Sequence, residues 1–142
     1  MAETIWFKEF SVEQANSRGK GTMFEHCEVL ISEVGPDYIK GTMPVDHRTK
    51  QPRGILHGGA SVVLAEGIAS LAGNMVLNPD THFAVGLDVN ANHLRPVTKG
   101  HVEATARPQH LGKKTQVWEI LLHHEGKLTC VSRLTLAVLA RE

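Results

Sequence analysis

The chain has 142 residues, with 15 Lys and Arg against 15 Asp and Glu, nine His, two Cys and 42% hydrophobic residues. A chain of this length buries roughly 70% of the surface its unfolded form exposes, so one domain over residues 1–142 can hold a core without disulfides or a structural metal. The balanced charge supplies no basic stripe to neutralise phosphates, which excludes nucleic acid as an expected partner.

The chain opens MAETIWFKEF, with acids where a secretory leader carries lysines and no apolar run behind them. Its longest apolar stretches are broken by Gly, Ser and Glu and fall short of the roughly 20 residues of a membrane span. Cys27 and Cys130 lie far apart and outside any C-x-x-C spacing, as two free thiols in a reducing compartment would. The expectation is a soluble cytoplasmic chain with no membrane partner. Ser11 followed three residues later by Gln14 predicts a capped short helix ending near Gly19 and Gly21. Residues 27–34 and 38–45, rich in strand formers, flank Gly35-Pro36-Asp37 and predict a hairpin. Residues 46–54 are polar, contain Pro52 and predict a loop, and residues 58–76 turn small and aliphatic over a helix's length.

The remainder predicts strands. In residues 82–94, Phe83, Val85, Leu87, Val89 and Ala91 alternate with Ala84, Gly86, Asp88, Asn90 and Asn92, which predicts one half-buried face. Residues 101–107 put Val102, Ala104 and Ala106 on one side, with Pro108 marking an end or a bulge. Residues 115–124 and 128–139 flank the turn Glu125-Gly126-Lys127. A helix, two strands, a long helix and four strands make an α+β chain whose antiparallel sheet packs on the long helix.

That long helix carries Val62, Val63, Leu64, Ala65, Ile68, Ala69, Leu71, Ala72, Met75 and Val76, which predicts burial nearly all round. Small residues such as Gly59, Ala60, Gly67 and Gly73 would admit the sheet or a second subunit closely, although each helical Gly costs roughly 1 kcal/mol relative to Ala. Glu66 is out of place there, because a carboxylate out of water costs several kcal/mol unless paired or neutralised. Ser70 follows on the same face at i+4. Two readings stand: Glu66 faces solvent or an arginine at a helix edge, or it is a catalytic carboxylate. Upstream, QPRGILHGG leaves the amides of Gly58 and Gly59 unpaired at the helix start, a site for a developing oxyanion or simply a flexible helix entry.

The run MPVDHRTKQPRGILHGGAS, followed by Leu64-Ala65-Glu66 and Ser70-Leu71-Ala72-Gly73, resembles the hotdog-fold acyl-CoA thioesterases. The likeness continues through Val85-Gly86, Asn90-Ala91-Asn92-His93-Leu94-Arg95-Pro96, His110-Leu111-Gly112 and Trp118-Glu119-Ile120, nearly the whole chain. It points to the bacterial PaaI-like group, which includes naphthoyl-CoA thioesterases of the menaquinone type and proofreading thioesterases of enterobactin synthesis. The resemblance implies a helix wrapped by an antiparallel sheet, dimers with active sites at the subunit interface, and a dimer of dimers. It implies that Gly58 polarises the thioester carbonyl while His57 and Gln51 orient the thioester. Glu66 from the other subunit attacks the carbonyl or activates water, and Ser70 places that water. His93, Val85 and Gly86 fall at the acyl site, and His110, Leu111, Gly112 and Lys113, followed by Lys114, at the coenzyme A grip, where a solvated hairpin turn is the alternative. Leu94 departs from the second histidine of the proofreading enzymes, which favours the naphthoyl-CoA branch.

A thioester carbonyl is already electrophilic, so an oxyanion donor and one carboxylate suffice. No cofactor is expected, coenzyme A being part of the substrate, and the other histidines show no metal-ligand spacing. The expected substrates are aromatic or medium-chain acyl-CoA thioesters, or the same thioester on an acyl carrier protein. The rivals are a non-catalytic acyl-CoA-binding domain and a dehydratase or isomerase on carrier protein, for which no histidine and carboxylate motif is present.

Overall fold

Alternation in the C-terminal half folds as it reads. In β4 (His101–Leu111) and β5 (Thr115–His124) alternate residues are buried, Val102, Ala104 and Ala106 in one, Gln116, Trp118, Ile120 and Leu122 in the other. The computed structural model describes residues 3–142; Met1 and Ala2, the start of the leader reading, lie outside the described residues. Its other elements are α1 (Val12–Ser17), α2 (Met23–His26), β1 (Leu30–Val34), β2 (Ile39–Pro44), α3 (Gly58–Val76), β3 (His82–His93) and β6 (Lys127–Ala140). All six strands are antiparallel, in the order β1-β2-β4-β5-β6-β3.

Local signals account for the element ends. Ser11 and Gln14 form the reciprocal cap of α1, with Gln14 N donating to Ser11 Oγ at 3.1 Å and Ser11 N donating to Gln14 Oε1 at 2.9 Å. The β5–β6 turn places Glu125 and Gly126 at φ 49° and 77°, the twist that suits a two-residue hairpin. Strand β1 starts at Leu30 rather than at residue 27, because α2 occupies the preceding turn. Pro108 does not end β4; the strand runs on to Leu111 through a register shift between Pro108 and His110.

Helix α3 lies on one face of the sheet. Leu64, Ala65, Ile68, Ala69 and Ala72 are fully buried with Met43, Val102, Ile120, Leu122, Leu134 and Leu136, each large aliphatic contributing roughly 1.5–3 kcal/mol by leaving water. Gln116 fastens the helix to the sheet: its Nε2 donates to the Gly73 carbonyl at 3.2 Å, and its Oε1 accepts from Trp118 Nε1 at 2.9 Å. Burial all round, as expected from the sequence, does not hold within one chain. Val62, Val63, Glu66, Gly67, Ser70 and Leu71 are only half-buried, because the sheet covers a single side. Contrary to the expectation from its interruptions, α3 has the length and apolarity of a membrane span; in this fold it is the core helix. Cys27 and Cys130 are free and buried, and burial pushes the Cys130 thiol up.

Strand β3 departs from strict alternation. Its register on β6 slips between Gly86, opposite Leu136, and Asp88, opposite Thr135, so Leu87 bulges out and is 65% exposed. An extra residue moves everything beyond it to the other face. Ala84 and Gly86 therefore face α3 before the bulge, and Val89, Ala91 and His93 after it, in place of the single face expected for Phe83, Val85, Leu87, Val89 and Ala91.

Candidate active site

The loop from Asp46 holds the start of α3. Arg48 donates to Asp46 through its backbone N at 2.9 Å and its Nη2 at 2.5 Å. That guanidinium keeps the Asp46 carboxyl well below the usual carboxylate range, and Asp46 with Glu28 holds Arg48 firmly charged. The turn fixes Thr49, whose Oγ1 donates to the Pro44 carbonyl at 2.9 Å and whose carbonyl accepts from His57 N at 2.8 Å. Leu56 N donates to Val97 O at 2.7 Å, so the chain enters α3 braced on both sides.

His57 is the N-cap. Its Nδ1 accepts from Gly59 N at 2.8 Å, which leaves the proton of a neutral ring on Nε2. Among the described residues the Gly58 amide has no acceptor. The Gln51 Oε1 accepts from Arg53 N, so the Gln51 amide nitrogen remains as a donor. Gln51 and Gly58 line one cleft of about 470 Å³ with His93, Leu94 and Arg95. His93 sits directly on the helix start: a Cβ on Gly58 would come within 2.8 Å of His93 Nε2. The glycine lets imidazole and amide share the cleft wall. The Thr129 carbonyl, at an irregularity in the β5–β6 pairing, accepts from Leu94 N at 2.8 Å and turns the chain away after His93.

Glu66 and Ser70 lie elsewhere. They line a second cleft, about 530 Å³, with Arg18, Phe24, Gly67 and Leu71. Among the described residues Glu66 has no arginine partner; its carboxylate rests on Gly86, where a Cβ would collide with it. Asn74 sets that contact, because its side chain donates to Ala84 O at 3.0 Å and accepts from Ala84 N at 2.8 Å, pinning α3 to β3. Along the helix Gly58 and Glu66 are eight residues apart, about 12 Å at 1.5 Å per residue. One chain therefore offers hydrogen-bond donors in one cleft and the carboxylate in the other. Val85 points outward from β3, 42% exposed. His110, Leu111, Gly112 and Lys113 form the end of β4 and the turn into β5, where Gly112 N donates to Thr115 O at 2.9 Å. That turn is level with Ala137 at the far end of β5, seven residues (about 24 Å) from the level of His93.

Sequence reasoning missed α2 and with it Phe24, as well as Arg18 and Asn74. The signal for α2 was present in Thr22-x-x-Glu25: Thr22 Oγ1 accepts from Phe24 N at 3.2 Å and Glu25 Oε2 accepts from Gly21 N at 2.6 Å. Asn74 carries no such signal, since its role exists only once β3 folds against α3.

Comparison with known proteins places this geometry. The thioesterase superfamily model matches residues 53–131. The chain is 46% identical over 136 residues to the 1,4-dihydroxy-2-naphthoyl-CoA hydrolase of Escherichia coli K12, covering 95% of this chain and 99% of that protein. It is 43% identical over 136 residues to the proofreading thioesterase EntH of Cronobacter sakazakii, covering 95% and 98%. The crystal structure of thioesterase HI1161 from Haemophilus influenzae superposes with a TM-score of 0.93 at 51% identity, covering 96% of each chain. With more than half of the chain matched by the superfamily and nearly all of it aligned to these relatives, the chain belongs to the thioesterase superfamily, as a hotdog-fold thioester hydrolase.

Proposed function

We propose that the chain hydrolyses aromatic or medium-chain acyl-CoA thioesters to the free acid and coenzyme A, at a site shared between two copies. The carrying observation is the division of the donors from the carboxylate: Gln51 and Gly58 in one cleft, Glu66 and Ser70 in another, along one rigid helix. A helix cannot fold back on itself, so the Glu66 that serves Gly58 comes from a second chain. The surface for that chain is the unpaired edge of the 12-residue β3, with Val85 and Leu87 exposed beside the half-buried side of α3. Long apolar strand edges of this kind demand a partner. A second copy seated there, and pairs of such dimers, answer that demand.

In the reaction the thioester carbonyl oxygen accepts from the Gly58 amide as negative charge builds on it, stabilised by the helix N-terminus. Gln51 Nε2 and His57 Nε2 hold the thioester, and His93 closes the cleft wall. Glu66 of the second copy supplies the attack, either on the carbonyl carbon, forming a mixed anhydride that water then hydrolyses to the free acid and the regenerated carboxylate, or by taking a proton from a water that Ser70 holds as the water oxygen bonds to the carbonyl carbon. As the C–S bond breaks, the thiolate of coenzyme A takes up a proton, from Glu66 in the general-base route and from solvent in the anhydride route. No cofactor enters. Lys113 and its neighbours in the β4–β5 turn receive the phosphates of coenzyme A. Free thiols at Cys27 and Cys130 suit the cytoplasm.

A carrier-protein thioester is the second reading, favoured by the 43% identity to a proofreading thioesterase. The test is thiol release from benzoyl-, hydroxybenzoyl-, hydroxynaphthoyl-, hexanoyl- and palmitoyl-CoA and from a benzoylated carrier protein, with Glu66→Ala alongside. Turnover that collapses in the variant supports the proposal. Undiminished turnover in Glu66→Ala, or binding without thiol release, would sink it.

A further inference from the structure

Three of the four amides that open α3 are already taken. Gly59 N donates to His57 Nδ1 at 2.8 Å, and Ala60 N and Ser61 N donate to the His57 carbonyl at 2.9 and 3.3 Å, which leaves the Gly58 amide over. A second unused donor stands beside it. Ser61 is 4% exposed, and it is the polar exception on a buried stripe otherwise made of Leu64, Ala65, Ile68, Ala69, Ala72 and Gly73. Alanine would suit the helix better at that position. A helical serine ordinarily rests its hydroxyl on the carbonyl four residues back. For Ser61 that is the His57 carbonyl, which already accepts two amides, and Ser61 Oγ meets no partner among the described residues. No side-chain polar atom among those residues is both unpartnered and sealed from the surface, so the hydroxyl opens into the cleft that Ser61 lines with Gly58 and Gln51. Side chains on an α-helix lean toward its N-terminus. That of Ser61 therefore covers the turn beginning at Gly58, three residues back on the same face.

We infer that the Ser61 hydroxyl is a second donor to the thioester carbonyl oxygen, beside the Gly58 amide. The inference rests on the proposed role of Gly58. A carbonyl oxygen offers two lone pairs, and as the carbon becomes tetrahedral that oxygen gains charge and moves out of the original plane. The Gly58 amide is fixed by the helix, whereas a hydroxyl rotates about its C–O bond and follows the oxygen. Ser61 keeps its proton throughout. The charge that collects on the oxygen returns to re-form the C=O bond as the C–S bond breaks. An amide of the pantetheine arm is the other acceptor such a hydroxyl would suit. Position favours the carbonyl, because Ser61 lies within the first turn of α3 and leans over Gly58.

The test is kcat and KM for benzoyl- and hexanoyl-CoA in the wild type, Ser61→Ala and Ser61→Cys, with the thermal midpoint of each. In Ser61→Ala kcat should fall about 10²-fold, equally on both substrates because the carbonyl is common to them, while KM moves less than about threefold. Ser61→Cys, a weaker donor of similar shape, should fall between the two. The midpoint of Ser61→Ala should stay or rise, since alanine is the better helix former. An unchanged kcat, or a loss carried by KM, would overturn the inference, the second by assigning the hydroxyl to the pantetheine arm. The infrared carbonyl stretch of bound hydroxybenzoyl-CoA, read in the slow Glu66→Ala background, gives a measure free of turnover. Its lowering on binding should shrink when Ser61→Ala is added; an identical stretch would overturn the inference. If the wild type hydrolyses no thioester, it is the proposed function that fails. The stretch in wild type against Ser61→Ala then decides the role of Ser61 alone, in the same two senses.

Discussion

Two individually inactive variants should restore each other if the site is shared. Glu66→Ala removes the carboxylate from one cleft and Gln51→Ala a donor from the other, and the about 12 Å of α3 between Gly58 and Glu66 keeps the lesions in separate sites of a mixed dimer. Loss of a transition-state donor or of a general base costs about 10²–10³-fold in rate, so each variant alone is close to silent. When the two are unfolded together and refolded at equal concentration, random pairing makes half of the dimers mixed. Each mixed dimer carries one site with both lesions and one intact site, so the mixture should recover about one quarter of wild-type activity. That is at least 25-fold above either parent for a loss of about 100-fold. The assay is hydroxybenzoyl-CoA hydrolysis followed by thiol release, with each parent refolded alone as control. A mixture as inactive as its parents, while wild type refolds to full activity, would refute the shared site.

Gly73→Ala should lower stability by about 1–3 kcal/mol, since a Cβ there collides with Leu136 and comes within 2.6 Å of Gln116 Oε1 where α3 meets β5 and β6; urea unfolding checks this, and an unchanged midpoint would contradict the packing. Asp46→Asn should destabilise the protein at neutral pH. The folded carboxyl is held below its usual value of 3.8, so the pair's contribution is complete above that value and fades only as pH falls through the lower folded value. The difference between wild type and Asp46→Asn should therefore be constant from pH 7 to about 5 and shrink in stronger acid; a difference growing toward low pH would reverse the assignment. Native protein should react slowly with Ellman's reagent and show two thiols once denatured, because Cys27 and Cys130 are buried and the Cys130 thiol is pushed up by burial. Two fast native thiols would contradict that burial.

What local chemistry specifies was legible in the order of residues. Gly58–Val76 reads as a helix because nothing in it forbids one and His57-Gly58-Gly59 starts it, and the Glu125-Gly126 turn sets the β5–β6 register. Glu66 was conspicuous on that helix because charge amid aliphatics is costly wherever it folds. Which residues meet was settled by folding. Gly86 and His93 are seven apart, an odd number, so a regular strand would aim them at opposite faces; the bulge at Leu87 turns both toward α3, one against Glu66 and the other against Gly58. A bulge is set by cross-strand register on β6, a partner more than 40 residues away, and no window of local sequence contains it. The half-buried side of α3 was invisible for the same reason, since apolar periodicity reports that a face will leave water and not whether this chain or another will cover it.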